Sequence, residues 1–231
     1  FPKLAMLKVG NRADDASYQK GATNRCAKCG VETMVVELAE DCSQEDYLAA
    51  LEDLNKDETV HGILCFRPLP AHIDEEIVKY YIDDKKDVDC FSPLSLAKIM
   101  SGDKRGFAPC TPMGVIEILK YYDIDLRGKN VTVLGRSMVV GKPLSMLLLN
   151  RDSTVTICHS KSKDLENIVK ESDILVSCMG RAKAVEKSYI KEGAVVIDVG
   201  INFDQEGKMC GDVDTDDVLE RVSHITPVPG G

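Results

Sequence analysis

The amino-acid sequence predicts an α/β fold in two domains, because short β-branched runs alternate with helical patterns in both halves of the chain. In the first half the predicted strands span residues 4–9, 31–38 and 61–65. In the second half they span residues 131–134, 154–157, 174–177, 194–199 and 225–226. A loop containing Gly, Lys and Arg precedes residue 107, where the alternation restarts. We therefore predict a first domain over residues 1–106 and a second over residues 107–231, each built on a parallel sheet.

The helices of the first half are predicted from their start and stop signals. A helix over residues 16–28 follows the first strand and ends before a glycine. Ser43 with Asp46 forms a capping-box pattern for a second helix, which runs to residue 54. A third helix is predicted over residues 73–82.

Composition restricts the class of partner and the cellular compartment. The chain has 231 residues and a formal net charge of −9, which argues against nucleic acid or an anionic membrane as the main partner. No run approaches the eighteen apolar residues of a membrane-spanning helix, and no signal peptide is visible. Cys26 and Cys29 form a C-x-x-C pair, but no second pair follows at metal-binding spacing. The nine cysteines therefore predict reduced thiols in the cytoplasm and no metal site.

The most informative segment of the second half is a strand, a glycine turn and a helix. The buried run at residues 131–134 ends at Gly135, and Gly141 lies six residues later. Pro143 is then predicted to open a helix at residues 144–149. This layout points backbone N–H groups at a phosphate, although the spacing differs from G-x-G-x-x-G. Two interpretations remain open, a nucleotide site and an ordinary turn with structural glycines.

The next strand end favours one cofactor over another. An NAD site carries an acid about 20 residues after its first glycine, for the ribose 2′-hydroxyl. Here Cys158 is followed by His159, Ser160 and Lys161, and the first acid is Asp164. With Arg136 nearby, this cationic and hydroxyl-rich region favours NADP. The alternative is a solvated loop and helix cap, and His159, which lacks a partner pattern, is read as structural or adjacent to the cofactor.

Four further segments carry local signals. Residues 85–89 form either a solvated charged turn or the end of a βα unit that presents an acid to a cleft. Thr111 before Pro112 predicts the start of a helix over residues 113–122. Residues 198–202 form a strand end with a glycine stop, and residues 226–231 form a rigid turn.

Together these segments resemble the methylenetetrahydrofolate dehydrogenase/cyclohydrolase family. The matching motifs are Pro-Leu-Pro at 68–70, Lys-Asp-Val-Asp at 86–89, Pro-Cys-Thr-Pro at 109–112, Gly-Arg-Ser-x-x-Val-Gly-Lys-Pro at 135–143, Thr-Val-Thr-x-Cys-His-Ser at 154–160, Val-Ile-Asp-Val-Gly-Ile-Asn at 196–202, Gly-Asp-Val at 211–213 and Thr-Pro-Val-Pro-Gly-Gly at 226–231. They cover essentially the whole chain in order. Family members also carry an extra N-terminal helix and continue beyond Pro-Gly-Gly, so the chain resembles the central portion of the family.

The resemblance implies an N-terminal three-layer α/β catalytic domain, a C-terminal Rossmann-like NADP-binding domain and folate in the cleft between them. It implies oxidation of methylenetetrahydrofolate to methenyltetrahydrofolate in one-carbon metabolism, with NADP as hydride acceptor. It also implies a homodimer that forms through the cofactor domain.

The same resemblance implies roles for individual residues. In the second domain, Gly135, Arg136 and Ser137 would line the cofactor phosphates, Arg136 and Ser160 would hold the 2′-phosphate, and Ile201 would lie against the nicotinamide. For the substrate, the implied residues are Tyr18 and Asp89, which are also the catalytic candidates, together with Pro229 and Gly230. Asp89 would accept N–H bonds from the pterin edge.

The chain departs from the family where the second reaction, hydrolysis, would take place. The family has a Tyr and, four residues later, a Lys on the same helical face, but Tyr18 is followed at that spacing by Ala22. Lys20 points about 200° away on a helix. The family's Gln before Leu reads Phe66-Arg67 here. We therefore expect the cyclohydrolase activity to be weak, absent or carried by other groups, of which Arg67 is the one nearby cation.

Two other functions compete with this interpretation. One is another two-domain NADP oxidoreductase, similar to shikimate dehydrogenase, which would need a Lys and Asp pair in the first domain. The other is a non-catalytic folate- or nucleotide-binding protein.

Overall fold

The structure, a computed structural model, describes residues 1–230 apart from the side chain of Ala13. The chain divides into two compact units, Phe1–Ala108 and Pro109–Gly231. This division lies two residues after the one predicted from the sequence.

The first unit is a parallel three-stranded sheet with helices on both faces. Its elements are β1 (Lys3–Val9), α1 (Ala13–Lys28), β2 (Glu32–Leu38), α2 (Gln44–Lys56), β3 (Gly62–Cys65), α3 (Glu75–Val78) and α4 (Pro93–Ser101). The strand order is β2-β1-β3. The predicted capping box of α2 is present, since Ser43 Oγ accepts a bond from Asp46 N at 3.1 Å.

The central strand explains the layers of this unit. Alternate residues of a strand point to opposite faces of its sheet. On one face Leu7 is buried in a cluster that includes Tyr47 and Leu51 of α2. On the other face Met6 packs in a cluster against which Ala22 of α1 lies. The three-layer α/β arrangement is therefore confirmed.

One helix prediction in the first unit was wrong, and one helix was not predicted. The helix expected over residues 73–82 is only the four-residue α3. In the segment after it, Asn55 Nδ2 of α2 donates to Tyr81 O at 2.6 Å, and Asn55 Oδ1 accepts a bond from Asp83 N at 2.9 Å. Helix α4 was not predicted, although Ser92 followed by Pro93 is a helix-start signal. Ser92 Oγ indeed accepts a bond from Leu94 N at 3.2 Å.

The second unit is a doubly wound parallel sheet. Its elements are α5 (Cys110–Tyr121), β4 (Asn130–Leu134), α6 (Gly141–Leu149), β5 (Thr154–Cys158), α7 (Leu165–Lys170), β6 (Ile174–Ser177), a 3₁₀ helix (Lys187–Tyr189), β7 (Val195–Asp198), β8 (Asn202–Phe203), β9 (Met209–Cys210), α8 (Thr215–Val218) and β10 (His224–Ile225). The five parallel strands have the order β10-β7-β6-β4-β5. The chain reverses its direction of winding at β4, and in such sheets ligands bind beyond the carboxyl ends of the strands at this point. The Rossmann-like prediction is confirmed.

Two helices of this unit begin earlier than predicted. Helix α5 begins at Cys110 with Pro109 as its N-cap residue, so the predicted start at Thr111 was wrong. Helix α6 begins at Gly141, two residues before Pro143. In both helices the proline lies in the first turn, where its missing N–H removes no intrahelical bond.

All nine cysteines are free thiols. Cys26 lies in α1 and Cys29 is its C-cap residue. Among the residues that the structure describes, no group of three or more His, Cys, Asp or Glu side chains is arranged to hold a metal ion. Within the same residues, none of the helices has the length and apolar character needed to cross a membrane.

Candidate active site

The first group of predicted site residues lies on the face of the first sheet that α1 covers. Tyr18 is 58% exposed, and its ring meets the ring of Phe66 edge-on with centroids 5.5 Å apart. Ala22 packs against the same apolar cluster, in which Phe66 lies with Met6 and Leu64. Ala22 and Phe66, the positions at which Lys and Gln are expected from the resemblance, are therefore neighbours in space. Apolar side chains occupy both positions.

Lys8 is a cation that the sequence interpretation missed. It alternates with Leu7 along β1, so it lies on the same face of the sheet as Met6 and Phe66. Its side chain is buried, and its Nζ pairs with Glu37 Oε2 at 2.8 Å and donates to Asn11 Oδ1 at 3.3 Å. A lysine inside an apolar strand run was the signal that could have drawn attention to it. Because it is buried and paired, Lys8 contributes an internal ion pair.

Arg67, the cation considered for hydrolysis, lies between two residues of the segment at 87–92. Its Nη2 is 3.5 Å from Asp89 Oδ2, and its Cζ lies 4.4 Å from the centroid of the Phe91 ring. The side chains of Arg67 and Asp89 are 24% and 29% exposed. The structure thus brings Arg67 to the predicted pterin-binding acid.

The residues of the charged motif at 86–89 make different structural contacts. Lys86 Nζ donates to three carbonyl groups at the end of α2, those of Leu54, Asn55 and Asp57. Such bonds satisfy carbonyl groups that have no partner within the helix. Lys86 is therefore a helix cap, and the solvated-turn interpretation was wrong for it.

Asp87 holds the turn that carries Asp89. It is 1% exposed, and its carboxylate accepts bonds from Phe91 N at 3.0 Å, Ser92 N at 2.8 Å and Ser95 Oγ at 2.7 Å. Within this turn Cys90 has the left-handed φ of 55°, which non-glycine residues rarely adopt. Asp87 thus holds the backbone of the turn through these bonds.

The glycine turn of the second unit is tightly packed. Gly135 N donates to Cys158 O at 2.9 Å, and Gly135 has a φ of 140°. A Cβ at position 135 would lie 2.6 Å from Cys178 O, and one at position 141 would overlap Gly135 O. Only glycine fits at either position, so the spacing of the two glycines follows from close backbone contacts.

The residues between these glycines form the start of α6. Ser137 Oγ accepts bonds from Val140 N at 3.1 Å and Gly141 N at 3.4 Å. Arg136, Ser137, Met138 and Val139 are exposed at this helix end. A helix N-terminus with an exposed cation beside it suits an anion such as a phosphate.

The end of β5 supplies the second loop of this region. His159 N donates to Ser162 Oγ at 3.0 Å, and His159 Nδ1 accepts a bond from Lys161 N at 3.1 Å. The histidine therefore organises its own turn, in agreement with the structural reading of the sequence. Ser160 is exposed in that turn. Because β4 and β5 are neighbours with Leu134 opposite Cys158, Arg136 and Ser160 lie in adjacent loops at one edge of the sheet.

Two buried carboxylates organise the loop that carries Ile201. Asp198 accepts bonds from Gly200 N at 2.9 Å, Asp212 N at 3.1 Å and Val213 N at 2.8 Å. Asp212 accepts bonds from Ser177 Oγ at 2.9 Å, Met179 N at 2.6 Å, Arg181 N at 2.9 Å and Asn202 Nδ2 at 2.9 Å. Ile201, between two residues held in this way, is 72% exposed. The sequence motifs around these two acids therefore form hydrogen bonds that support the loop.

Burial changes the acidity of groups in this support. Burial raises the pKa of Asp198, against the opposing effect of the three N–H bonds that it accepts. Burial and the charge of Asp212 raise the pKa of Cys178, the thiol beneath the glycine turn, to about 12.

The C-terminal turn begins beside Asp198. Thr226 Oγ1 accepts a bond from Asp198 N at 2.8 Å. Pro229 and Gly230 are exposed, and Gly230 has a φ of 109°. Gly231, the last residue of the predicted motif, lies outside the described residues.

Comparison with known proteins matches both units to one family. The profile of the tetrahydrofolate dehydrogenase/cyclohydrolase catalytic domain matches residues 1–89. The profile of the tetrahydrofolate dehydrogenase/cyclohydrolase NAD(P)-binding domain matches residues 109–231.

Individual relatives agree with these matches. The bifunctional protein FolD of Clostridioides difficile (strain 630) is 61% identical over 230 residues, which cover 100% of this chain and 80% of the relative. The crystal structure of the bifunctional FolD enzyme from Campylobacter jejuni is 41% identical, with a TM-score of 0.96 over 99% of this chain and 81% of that one. The Trypanosoma brucei FolD structure, complexed with NADP cofactor and inhibitor, is 37% identical, with a TM-score of 0.90 over 100% of this chain and 80% of that one. The chain therefore belongs to the tetrahydrofolate dehydrogenase/cyclohydrolase family.

Proposed function

We propose that this chain is an NADP-dependent methylenetetrahydrofolate dehydrogenase whose cyclohydrolase activity is weak or absent. The dehydrogenase part is supported by family membership and by the closely packed glycine turn at the start of α6. The observation that carries the second part is the packing of Ala22 and Phe66 in one apolar cluster. Family membership favours this function over the non-catalytic and shikimate-dehydrogenase-like alternatives.

The second unit fits NADP by the chemistry of its loops. We assign the phosphates to the turn at Gly135, Arg136 and Ser137, and the 2′-phosphate to Arg136 with Ser160. The close-packed glycines support the first assignment, since they leave the exposed backbone of the turn and the start of α6 for an anion. NADP, when bound, supplies the hydride acceptor of the reaction. Ile201 would then pack against the nicotinamide from a loop that Asp198 and Asp212 already hold.

The first unit would hold the folate. We assign Asp89 to the pterin, because a carboxylate accepts two N–H bonds from one edge of a ring. Tyr18 offers an exposed aromatic face for the rest of the substrate. In the second unit we assign exposed Pro229 and Gly230 to the substrate as well. Orientation of the one-carbon bridge is the main contribution that these side chains make to hydride transfer.

Hydrolysis of the methenyl product needs more than orientation. Water adds to the bridge carbon and loses a proton, a step that a positioned acid or base accelerates by about 10²–10⁴-fold. Ala22 and Phe66 have no group that can accept or donate that proton. Arg67 stays protonated in proteins, so it is a poor base, and Lys20 is exposed on α1.

One assay series tests both parts of the proposal. The purified chain is mixed with methylenetetrahydrofolate and NADP or NAD, and reduced nicotinamide is followed by absorbance. Methenyltetrahydrofolate is then mixed with enzyme or with buffer alone, and its decay is followed. We expect reduction of NADP and a decay rate within about twofold of buffer, since the missing proton transfer alone is worth at least about 10²-fold. No reduction of either nicotinamide would refute the dehydrogenase.

A fast decay would refute the loss of hydrolysis, and two variants then locate its source. Loss of that decay in Arg67→Ala would assign it to Arg67. Loss in Lys20→Ala would assign it to Lys20.

We further propose a homodimer that forms through the second unit. Strand β5 lies at the edge of the five-stranded sheet, and Ile157 on it is 37% exposed. An edge strand with exposed apolar side chains is a template for pairing with another chain. Sedimentation equilibrium tests this, with Ile157→Lys expected to shift the mass to that of one chain. A monomeric wild-type protein would refute it.

We also propose a cytoplasmic location. It is supported by the nine free thiols, because thiols persist in reducing compartments. Fractionation of source cells tests this, and recovery with the membranes or the culture medium would contradict it.

A further inference from the structure

Arg67 is held from two directions, which gives its guanidinium a defined position. The Phe91 ring lies 4.4 Å from its Cζ, and Asp89 Oδ2 lies 3.5 Å from its Nη2. A planar guanidinium stacks on an aromatic face, and a flexible ammonium does so less well. The side chain is only 24% exposed, so solvent screens the ion pair incompletely.

The partners of Arg67 are rigid for reasons independent of it. Buried Asp87 binds Phe91 N and Ser92 N, and Cys90 between Asp89 and Phe91 has a positive φ. This turn therefore presents Asp89 and Phe91 together whether or not Arg67 is there. The turn acts on the backbone of Asp89, and the ion pair with Arg67 acts on its carboxylate.

The ion pair restricts the rotation of the Asp89 carboxylate. At 3.5 Å the contact is longer than the 2.7–2.9 Å of a short charge-assisted hydrogen bond, so it acts mainly through charge. A cation fixed on one side of a carboxylate favours the rotamers that turn an oxygen toward it. The second oxygen is then directed consistently, which is what recognition of a ring edge with two N–H donors requires.

Arg67 lies two residues after the end of β3, and its cation lies beside Asp89. The cation of this region is thus paired with the acid to which the pterin is assigned.

We propose that Arg67 is a positioning residue for pterin recognition, acting by orienting the Asp89 carboxylate from its place on the Phe91 ring. This inference rests on the proposed function, since it assumes that Asp89 binds the reduced pterin of the substrate. It assigns Arg67 a role in substrate affinity and none in hydrolysis.

A double-mutant cycle with Arg67→Leu and Asp89→Asn tests the inference. In the wild-type background, Arg67→Leu should raise the KM for methylenetetrahydrofolate about tenfold and leave kcat and the KM for NADP within about twofold. In the Asp89→Asn background the same exchange should change KM less than about twofold, because a residue that acts through another has no effect once that other is removed. Arg67→Lys keeps the charge and loses the planar stacking, so its KM for methylenetetrahydrofolate should lie between those of the wild type and Arg67→Leu.

A matched control is available in the same unit. Arg105 also pairs with an acid, at 2.7 Å from Asp103 Oδ2, and its side chain is 86% exposed. Arg105→Leu removes an arginine and an ion pair outside the proposed site, and it should leave all constants within about twofold. Thermal unfolding of each variant checks that it is folded. If Arg67→Leu does not fold, Phe91→Leu takes its place in the cycle and should raise the same KM by a smaller factor.

Two outcomes would overturn the inference. Equal effects of Arg67→Leu in both backgrounds would show that Arg67 acts without Asp89, and a fall in kcat with unchanged KM would show that it acts on the reaction step. Failure of the proposed function is separate, because it appears as an inactive wild-type protein. In that case the affinities of the same four proteins for tetrahydrofolate are measured by calorimetric titration. Additive effects of the two exchanges on affinity would again overturn the inference.

Discussion

The ring of Phe66 meets the ring of Tyr18 edge-on, with centroids 5.5 Å apart and planes at 71°. This contact joins an exposed aromatic side chain on α1 to a buried one at the end of β3. Ala22 lies in the cluster of the same Phe66. Ala22 and Phe66 thus fit together, because a small residue on the helix leaves room for a large one directly after β3.

Under the proposed function, introducing the expected family residues Lys and Gln at positions 22 and 66 should increase hydrolysis. Ala22→Lys with Phe66→Gln replaces the apolar pair by an amine and an amide, and we expect at least a tenfold gain in methenyltetrahydrofolate hydrolysis over the parent. Decay of methenyl absorbance measures it. Either single variant should gain less, because a lysine beside Phe66 stays in apolar surroundings and a glutamine beside Ala22 lacks its partner.

The control for this pair is a lysine one residue away. Gly21 lies on α1 with no atom within 4 Å of an added Cβ, and it points about 100° from Ala22. Gly21→Lys with Phe66→Gln should show no gain. An equal gain in this control would contradict the geometric explanation.

Arg136→Ala should change the choice of cofactor. Loss of a charge-assisted contact to a 2′-phosphate costs about 1.5–3 kcal/mol, so we expect the KM for NADP to rise at least about tenfold and that for NAD to change less than about twofold. Initial rates with both nicotinamides measure this. Arg127→Ala, at an arginine that is 80% exposed, should affect neither constant. Parallel increases for NADP and NAD after Arg136→Ala would disprove the 2′-phosphate assignment.

Two glycine substitutions should have opposite effects on stability. In Gly141→Ala the added Cβ overlaps Gly135 O, so we expect the free energy of unfolding to fall by about 2 kcal/mol. In Gly114→Ala, within α5, the added Cβ meets no atom within 4 Å, and we expect a gain of about 0.5–1 kcal/mol. Urea titration of both variants measures the difference. Equal stability of the two would mean that the glycine turn relaxes freely.

Asp212→Asn should weaken both the second unit and cofactor binding. Asp212 is fully buried and accepts four hydrogen bonds, whereas an amide nitrogen cannot accept. At least one backbone N–H then loses its partner, at a cost of about 1–3 kcal/mol. The KM for NADP should rise as well, because the Ile201 loop loses part of its support. Asp216→Asn, at an exposed acid of α8, should change neither quantity.

Thiol labelling should separate the cysteines by burial and acidity. Burial raises the pKa of Cys65 and of Cys90 to about 12, so at pH 8 only about one in 10⁴ of each is the reactive thiolate. Exposed Cys29 and Cys110 should react with iodoacetamide within minutes at pH 8, and the two buried thiols should react only as the pH rises toward 12 or after unfolding. Mass spectrometry of the peptides measures each site. Simultaneous labelling of all four in the folded protein would contradict the assignment.

The elements that the sequence predicted well are those with a strong local pattern. Buried strands such as β4 and β6 are continuous β-branched or apolar runs, and the Ser43 and Asp46 signal fixed the start of α2. The helix predictions were wrong where residues distant in the sequence bind the backbone. The helix after residue 73 ends at Val78, and the segment that follows is bound to α2, where Asn55 Nδ2 donates to the carbonyl of Tyr81.

The sequence by itself determined the α/β class, the glycine turn, the strand end without an acid and the alanine four residues after Tyr18, because each is a property of a residue and its near neighbours. The tertiary structure decided that Ala22 and Phe66 share one cluster, that Arg67 pairs with Asp89 and that Asp198 and Asp212 support one loop. These contacts join residues far apart in the chain, so they depend on strand register and on the turns that bring the carboxyl ends of the strands together.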